Sequence, residues 1–323
     1  MTVSNVINGH KDRVSADVAK RVQEAVKELN YRPQTSGRSL RLSRDFSIGL
    51  VMLHPDRRFL NDPMNTEVAA GMCNYLAGQG YVLVTLGAQN VDELEAMMSR
   101  LNGLDGFVVF ASGALETRQE VYRKMADLGK PMMIVNDAQF EGLADTASIT
   151  FDNFGGAQML AQEMVNSGAR KIIFVRPDHV WPAIEERERG VRAALDGVAE
   201  LEVMSFTETS FADMATSFEA RLRTGPKVDA IMGGNDQFGI AALHAASRAG
   251  LSVPGDLLVS GFNGFSFREY SMPLLTSVAS PAYELGEAAA EGMLKRLQDK
   301  VFTPIPVLDV AYLPGETLAP LSR

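Results

Sequence analysis

The stretch Ile48-Gly49-Leu50-Val51-Met52-Leu53 is an unbroken apolar run. Because it is apolar on both faces, it predicts a strand buried in a parallel sheet. Three further runs of this kind follow at 81–86, 106–111 and 131–135, and helical patterns near 66–79, 91–102 and 117–129 separate them. Strands that alternate with helices predict an α/β fold built on a parallel sheet.

A second series repeats the first. Its apolar runs lie at 171–176, 201–206, 229–233 and 257–261, with helical patterns near 154–167, 184–196, 211–223 and 237–249. Two doubly wound parallel sheets are therefore predicted for residues 46–323. A helix near 283–299 and a β-like segment at 307–313 are expected to cross back between them.

Residues 1–33 have a different, all-helical pattern. Ser15 is a plausible N-cap for a helix with one apolar stripe, formed by Val18, Val22, Ala25, Val26 and Leu29, and Pro33 ends it. Residues 34–45 are polar and basic, with too few apolar side chains for a core. This second segment is interpreted as a linker, and on composition alone a merely flexible, solvated connection is the favoured reading.

Charge divides the chain at the same place. The 323 residues carry a net charge of -9, which taken alone argues against a nucleic-acid partner. Residues 1–44, however, hold nine basic and four acidic side chains, a balance of +5, and the remainder stands at -14. The basic head is thus the part that could face DNA.

No enzyme motif is found. Glycine-rich nucleotide loops, a Gly-x-Ser-x-Gly elbow and a His-Glu-x-x-His pair are all missing, and the four histidines are scattered, so neither a catalytic site, a metal site nor a cofactor is predicted.

Cys73 has no partner for a disulfide and is expected to be a buried thiol on a helix face. With no apolar run long enough to span a membrane and no signal-peptide pattern, a cytoplasmic protein is expected.

Polar side chains follow several of the predicted strands. The clearest cases are Asn136-Asp137, Phe151-Asp152-Asn153, Asn235-Asp236 and Phe262-Asn263. In doubly wound sheets ligands bind beyond the carboxyl ends of the strands, and amides beside aromatic rings suit a polyhydroxylated ligand. Any one of these residues could equally cap the helix that follows it, but four groups together favour a binding pocket.

The sequence resembles the LacI/GalR transcription repressors over nearly its whole length. The head matches in Thr2-Val3-Ser4-Asn5-Val6-Ile7-Asn8-Gly9, Val14-Ser15, Leu29-Asn30-Tyr31-Arg32-Pro33 and Arg38-Ser39-Leu40-Arg41. The core matches in order at 48–51, 62–63, 71, 233–236, 250–256, 261–263 and 273–278. The resemblance implies a helix-turn-helix head, a hinge helix, and a core like the type I periplasmic sugar-binding proteins that dimerises and binds a small effector between two subdomains.

For DNA, the resemblance makes 2–8 the recognition helix, with Thr2, Ser4, Asn5 and Asn8 facing phosphates or base edges. Asn5 stands where the family often has arginine, and asparagine favours adenine, so the operator preference is expected to differ. In the hinge, Leu40 matches the apolar wedge that kinks the minor groove, with Ser36, Arg38 and Arg41 near the backbone.

For the effector, the family's key arginine lies three residues before a glycine that opens a helix, and Arg187 before Gly190 matches. Without the resemblance, a solvated charge would be the favoured reading of Arg187. The other matching pocket positions are Met64, Asn65, Asn136, Phe151, Phe206, Asn235 and Asn263. Asn136 and Asn263 replace the usual aspartates, which suits neutral or anionic sugars better than cationic or purine-like effectors.

The family's first head helix precedes the Thr-Val-Ser segment with which this sequence begins. The resemblance therefore implies a partial helix-turn-helix, and we expect this chain to fold poorly before residue 35 and to bind DNA weakly. Tight binding to its own promoter would contradict that expectation.

The leading hypothesis is a dimeric DNA-binding regulator, most simply a repressor, whose operator affinity depends on a sugar-like effector. The helices near 66–79 and 237–249 are candidate dimer faces. A freestanding sugar-binding protein of the transport type is the alternative, although it has no use for a basic head. A sugar-modifying enzyme on the same fold is a third possibility, and it lacks a candidate nucleophile.

Overall fold

The computed structural model describes residues 2–7, 14–29, 44–207 and 210–321. Contacts within the chain group it into two compact units, residues 1–45 and 46–323, which are described separately. Of the predicted linker 34–45, only its last two residues fall within the described part of the chain.

The head contains two helices, α1 (Thr2–Ile7) and α2 (Ala16–Glu28). Ser15 stands at the N-cap of α2 with extended backbone, as predicted, although its side chain makes no capping hydrogen bond. No side chain of α2 is buried, and its apolar stripe, together with Val3 of α1, lines an open groove.

The first half of the core is a five-stranded parallel sheet in the order β2-β1-β3-β4-β5. Its elements are β1 (Ser47–Leu53), α3 (Pro63–Gly78), β2 (Val82–Ala88), α4 (Val91–Leu101), β3 (Gly106–Ala111), α5 (Leu115–Ala126), β4 (Met132–Val135) and β5 (Thr146–Ile149). All seven residues of β1 are buried, as the unbroken apolar run predicts.

The second half is a four-stranded parallel sheet in the order β7-β6-β8-β9. Its elements are α6 (Asn153–Asn166), β6 (Lys171–Pro177), α7 (Pro182–Leu195), β7 (Glu200–Phe206), α8 (Phe211–Thr224), β8 (Ala230–Gly233), α9 (Asp236–Ala249) and β9 (Leu258–Ser260). The prediction of two parallel doubly wound sheets is confirmed.

The chain crosses between the halves more than once. The antiparallel pair β10 (Ser277–Ala279) and β11 (Ala311–Leu313) flanks α10 (Ala282–Asp299), and α10 returns to pack on α3 of the first half. Only the end of the predicted β-like segment 307–313 is a strand, because Leu308 makes just an isolated bridge to Phe151.

Two details differ from the sequence-based expectations. Strand β5 was not predicted, because Thr146-Ala147-Ser148-Ile149 is too short and too polar to show as an apolar run. Cys73 is exposed and not buried, since Met72 and Leu76 form the inward stripe of α3 and Cys73 points away from it. In the described part of the chain, no helix is both long and apolar enough to cross a membrane.

Candidate functional site

A cleft of about 830 Å³ lies between the two halves of the core. It opens beyond the carboxyl ends of strands from both sheets, where doubly wound folds bind their ligands. The first half contributes His54 after β1 and Asn136 after β4, and the second half contributes Asn235 after β8 and Asn263 after β9. Three of the four predicted groups thus contribute to one cavity. The fourth does not line it, and its Asp152 instead caps α6, with Oδ1 accepting from the Gly155 N–H at 2.7 Å.

Arg187 is the charged centre of this cleft. Its side chain lines the cavity but is only 3% exposed. The guanidinium donates from Nε to Asn153 Oδ1 (2.9 Å), from one terminal nitrogen to the Gly234 carbonyl (2.6 Å) and from the other to Asn263 Oδ1 (2.8 Å). It also lies 3.9 Å from the centroid of the Phe262 ring. These four contacts fix its orientation from several elements at once.

The sequence of α7 explains why this arginine is buried while its neighbours are not. Ile184 and Val191 are also buried and define the inward face of the helix, on which Arg187 lies, whereas Glu185 and Arg189 are exposed. Gly190 lies within this helix and does not open one, contrary to the expectation. A Cβ there would stand 2.2 Å from the Phe154 carbonyl oxygen, so only glycine lets α7 and α6 approach this closely.

Burial shifts the pKa values of Arg187 and Asp236 at the cleft in opposite directions. It lowers the pKa of Arg187 to about 9, because the charged form is removed from water. It raises the pKa of Asp236 to about 6 for the same reason, against the hydrogen bonds that its carboxylate accepts from Ser277 Oγ (2.5 Å) and the Phe265 backbone N–H (2.8 Å).

The asparagines reach the cleft by two different local structures. Asn235 caps α9, its Oδ1 accepting from the Phe238 N–H at 2.9 Å. It also lines the cavity, so the residue is both a helix cap and a pocket residue. Asn136 and Asn263 instead have φ of 54° and 101°, a region that asparagine tolerates better than most residues. Their amides therefore leave the strand ends in directions that an ordinary extended residue would not give.

Five of the eight predicted effector residues line the cavity: Met64, Asn136, Arg187, Asn235 and Asn263. The other three are not among the lining residues. Asn65 is buried and donates to the Phe59 carbonyl (2.8 Å), Phe151 is buried with its ring centroid 5.9 Å from the Arg187 guanidinium, and Phe206 packs on Phe218 with ring centroids 4.8 Å apart.

An aromatic cluster at the cleft was not predicted from the sequence. The Trp181 ring lies between His54, Phe110 and His179, with centroids 5.2, 6.0 and 5.4 Å away. The only sequence signal was the single tryptophan of the chain, directly before the Pro182 that begins α7. An exposed indole face is a usual partner for the apolar face of a sugar ring.

The same loop joins the two halves of the core. His179 Nε2 lies 2.8 Å from Ser112 Oγ, and the Gly113 N–H donates to the Val180 carbonyl at 2.8 Å. Burial lowers the pKa of His179, and the neighbouring His54 lowers it further. These contacts connect the two halves of the core at one edge of the cleft.

The predicted DNA-binding residues are only partly described. Thr2, Ser4 and Asn5 lie on α1, and Thr2 is exposed. Asn8, Ser36, Arg38, Leu40 and Arg41 lie outside the described residues. Among the residues that are described, no cluster of three or more His, Cys, Asp or Glu side chains is placed to hold a metal ion.

Two family models match the chain. The model of bacterial regulatory proteins of the lacI family matches residues 1–34, and that of the periplasmic binding protein-like domain matches residues 161–317. The ribose operon repressor of Halalkalibacterium halodurans is 28% identical over 301 residues, covering 93% of this chain and 87% of its own length.

Solved structures agree with this assignment. The complex of the transcriptional regulator CelR with cellobiose is 25% identical, has a TM-score of 0.72, and covers 97% of this chain and 94% of its own. The lac repressor dimer bound to operator and an anti-inducer has a TM-score of 0.82 at 20% identity, covering 98% and 94%, and supports the fold. The chain therefore belongs to the LacI family of transcriptional regulators.

Proposed function

We propose that the cleft binds a sugar or sugar derivative and that this ligand controls the affinity of the regulator for its operator. The observation that carries the proposal is Arg187, a buried guanidinium that lines the cavity together with Asn136, Asn235 and Asn263. Guanidinium and amide groups together donate and accept several directed hydrogen bonds, which is what a polyhydroxylated ligand requires. Trp181 supplies an aromatic surface beside them.

The relatives favour the same ligand class. One structure is a complex with cellobiose, and one relative is a ribose operon repressor. Neither sugar is assigned to this chain. Among the predicted effector residues, we retain Asn65, Phe151 and Phe206 as supports behind the cavity wall.

On the DNA side, we propose that Thr2, Ser4, Asn5 and Asn8 meet the major groove and that Ser36, Arg38, Leu40 and Arg41 meet the minor groove. Support comes from the +5 balance of residues 1–44 and from the match of the lacI-family model to residues 1–34. We further propose a homodimer acting as a repressor in the cytoplasm, where its DNA lies.

We also propose that the protein is not an enzyme. Its relatives are transcriptional regulators, and the polar groups of the cleft bind and orient a ligand without an activated nucleophile among them. A freestanding transport protein is disfavoured by the lacI-family match of the head.

Fluorescence anisotropy on labelled DNA from upstream of the gene tests the proposal. A panel of sugars is added to the full chain, and one class is expected to change the affinity for DNA. Arg187→Met is expected to remove that response. The matched control is Arg189→Met, which removes an exposed arginine two residues away on the same helix and should keep the response. A response that survives Arg187→Met, or no response to any sugar, would contradict the proposal.

A further inference from the structure

Every hydrogen bond that Arg187 makes within the described residues goes to a neutral oxygen. The three acceptors are the side-chain amides of Asn153 and Asn263 and the backbone carbonyl of Gly234. A guanidinium has five N–H donors, so one donor on each terminal nitrogen has no acceptor in this part of the protein. The buried positive charge is therefore oriented but not neutralised by direct contact.

The carboxylates that line the same cleft are held by other donors. Asp56 pairs with Arg58, Asp62 accepts from the Met64 N–H at the start of α3, and Asp178 accepts from Thr207 Oγ1. Asp236 accepts from Ser277 and from the Phe265 backbone, as described above. None of the four makes a hydrogen bond to Arg187, although Asp236 and Asp62 act on it through space.

A buried charge without a direct counter-charge is costly for a protein. The cost is removed when a ligand carries the opposite charge into the site, since charge-assisted hydrogen bonds are about twice as strong as neutral ones. A carboxylate matches the two unused donors, because its two oxygens can accept one hydrogen bond from each terminal nitrogen of a guanidinium. The lowered pKa of Arg187 agrees with an unpaired site.

We propose that the ligand is an acidic sugar, a uronic or aldonic acid, whose carboxylate pairs with Arg187; this rests on the proposed sugar-binding function of the cleft. Asn136 and Asn235 lie across the same cavity and bind hydroxyl groups of the ligand. Trp181 covers the apolar face of the sugar. Asn263 sets the preference for an acid, because it gives Arg187 a neutral acceptor where an aspartate would give it a counter-charge.

Isothermal titration of the full chain with matched pairs tests this inference: D-glucuronate against D-glucose, and D-gluconate against D-glucitol. The acid of at least one pair is expected to bind about tenfold or more tightly than its neutral partner, the difference that one charge-assisted contact makes. Glucose 6-phosphate tests the other source of negative charge. If glucose 6-phosphate binds and neither sugar acid does, the proposal that the ligand carries a carboxylate is overturned.

Variants separate charge pairing from general electrostatics. Asn263→Asp places a carboxylate on the guanidinium and is expected to lower the acid-to-neutral affinity ratio about tenfold. Asn166→Asp adds the same charge on the exposed face of α6 and should leave the ratio unchanged. Arg187→Lys should keep a preference for the acid, and Arg187→Met should abolish it.

The outcomes also separate this inference from the proposed function. A neutral sugar that binds as tightly as its acid, and loses binding in Arg187→Met, would overturn the acidic ligand and leave a sugar-responsive regulator. An acid preference that Asn263→Asp does not reduce would overturn the role of Asn263. If no saccharide binds, both proposals fail.

Discussion

Two buried arginines of this protein have opposite surroundings. Arg118 on α5 is 5% exposed and donates from Nε to Asp137 Oδ2 at 2.7 Å, while the Tyr122 hydroxyl donates to the same oxygen at 3.0 Å. Arg187 on α7 is 3% exposed and makes its hydrogen bonds only to neutral oxygens. The first cation is neutralised inside the protein, and the second has donors left for a ligand.

The surroundings of a buried charge indicate whether it stabilises the fold or binds a ligand. A buried arginine that is paired with a carboxylate is part of the structure, because removing either partner leaves an uncompensated charge. A buried arginine that is oriented by neutral groups at the wall of a cavity still has its charge and part of its donors available for a ligand. Arg118 is absent from the wall of the cleft, and Arg187 forms part of it.

Mutation of the paired site should reduce stability more than any other change considered below. Asp137→Ala leaves Arg118 and the Tyr122 hydroxyl without their common acceptor and should lower the free energy of unfolding by about 3–5 kcal/mol. Denaturant unfolding measures it. The control is Glu200→Ala, which breaks an exposed pair with Lys171 and should change stability by less than about 1 kcal/mol. Equal effects of the two changes would show that the Arg118 pair is not structural.

A second prediction concerns the packing that places Arg187. Gly190→Ala forces α7 away from the Phe154 carbonyl and should cost about 1–3 kcal/mol, with a loss of ligand binding as the guanidinium moves. Gly78→Ala, at the end of α3, has no atom within 4 Å of the added Cβ and should be neutral or slightly stabilising. Unchanged stability and binding in Gly190→Ala would mean that the close contact is not needed.

The third prediction concerns Asp236, the carboxylate that has the largest electrostatic effect on Arg187. Since burial raises the pKa of Asp236 from 3.8 to about 6, the folded protein binds more protons than the unfolded chain between those values. Stability from this group is therefore greatest below about pH 4 and falls as the pH rises to about 6, by up to about 3 kcal/mol. In Asp236→Asn this part of the pH dependence should vanish. Parallel stability curves for the two proteins between pH 4 and 7 would contradict it.

The sequence predicted the two sheets well, because buried parallel strands are continuous apolar runs and few other structures have that pattern. Strand β5 was missed because Thr146 to Ile149 is short and half polar. Cys73 was placed inside because an apolar neighbourhood does not tell which side of a helix faces the core. The inward side of α3 is decided by its packing on the sheet and on α10, which lies more than 200 residues later in the sequence.

The candidate site was predicted in part. Polar residues at strand ends predicted the position of the cleft, and Arg187 with Gly190 was found through the family resemblance. The paired arrangement of Arg118 with Asp137 had no sequence signal, since the two residues lie 19 positions apart on different elements. Trp181 was missed because a single aromatic residue in a loop shows nothing of what it faces.

If Arg187 serves ligand binding and not stability, the protein should tolerate its loss in the absence of ligand, and denaturant unfolding of Arg187→Met measures this. Replacing an unpaired buried cation by an apolar side chain of similar length should leave the free energy of unfolding within about 1 kcal/mol of the unaltered protein, or raise it. A loss of about 3–5 kcal/mol, the size expected for Asp137→Ala, would show instead that Arg187 stabilises the fold.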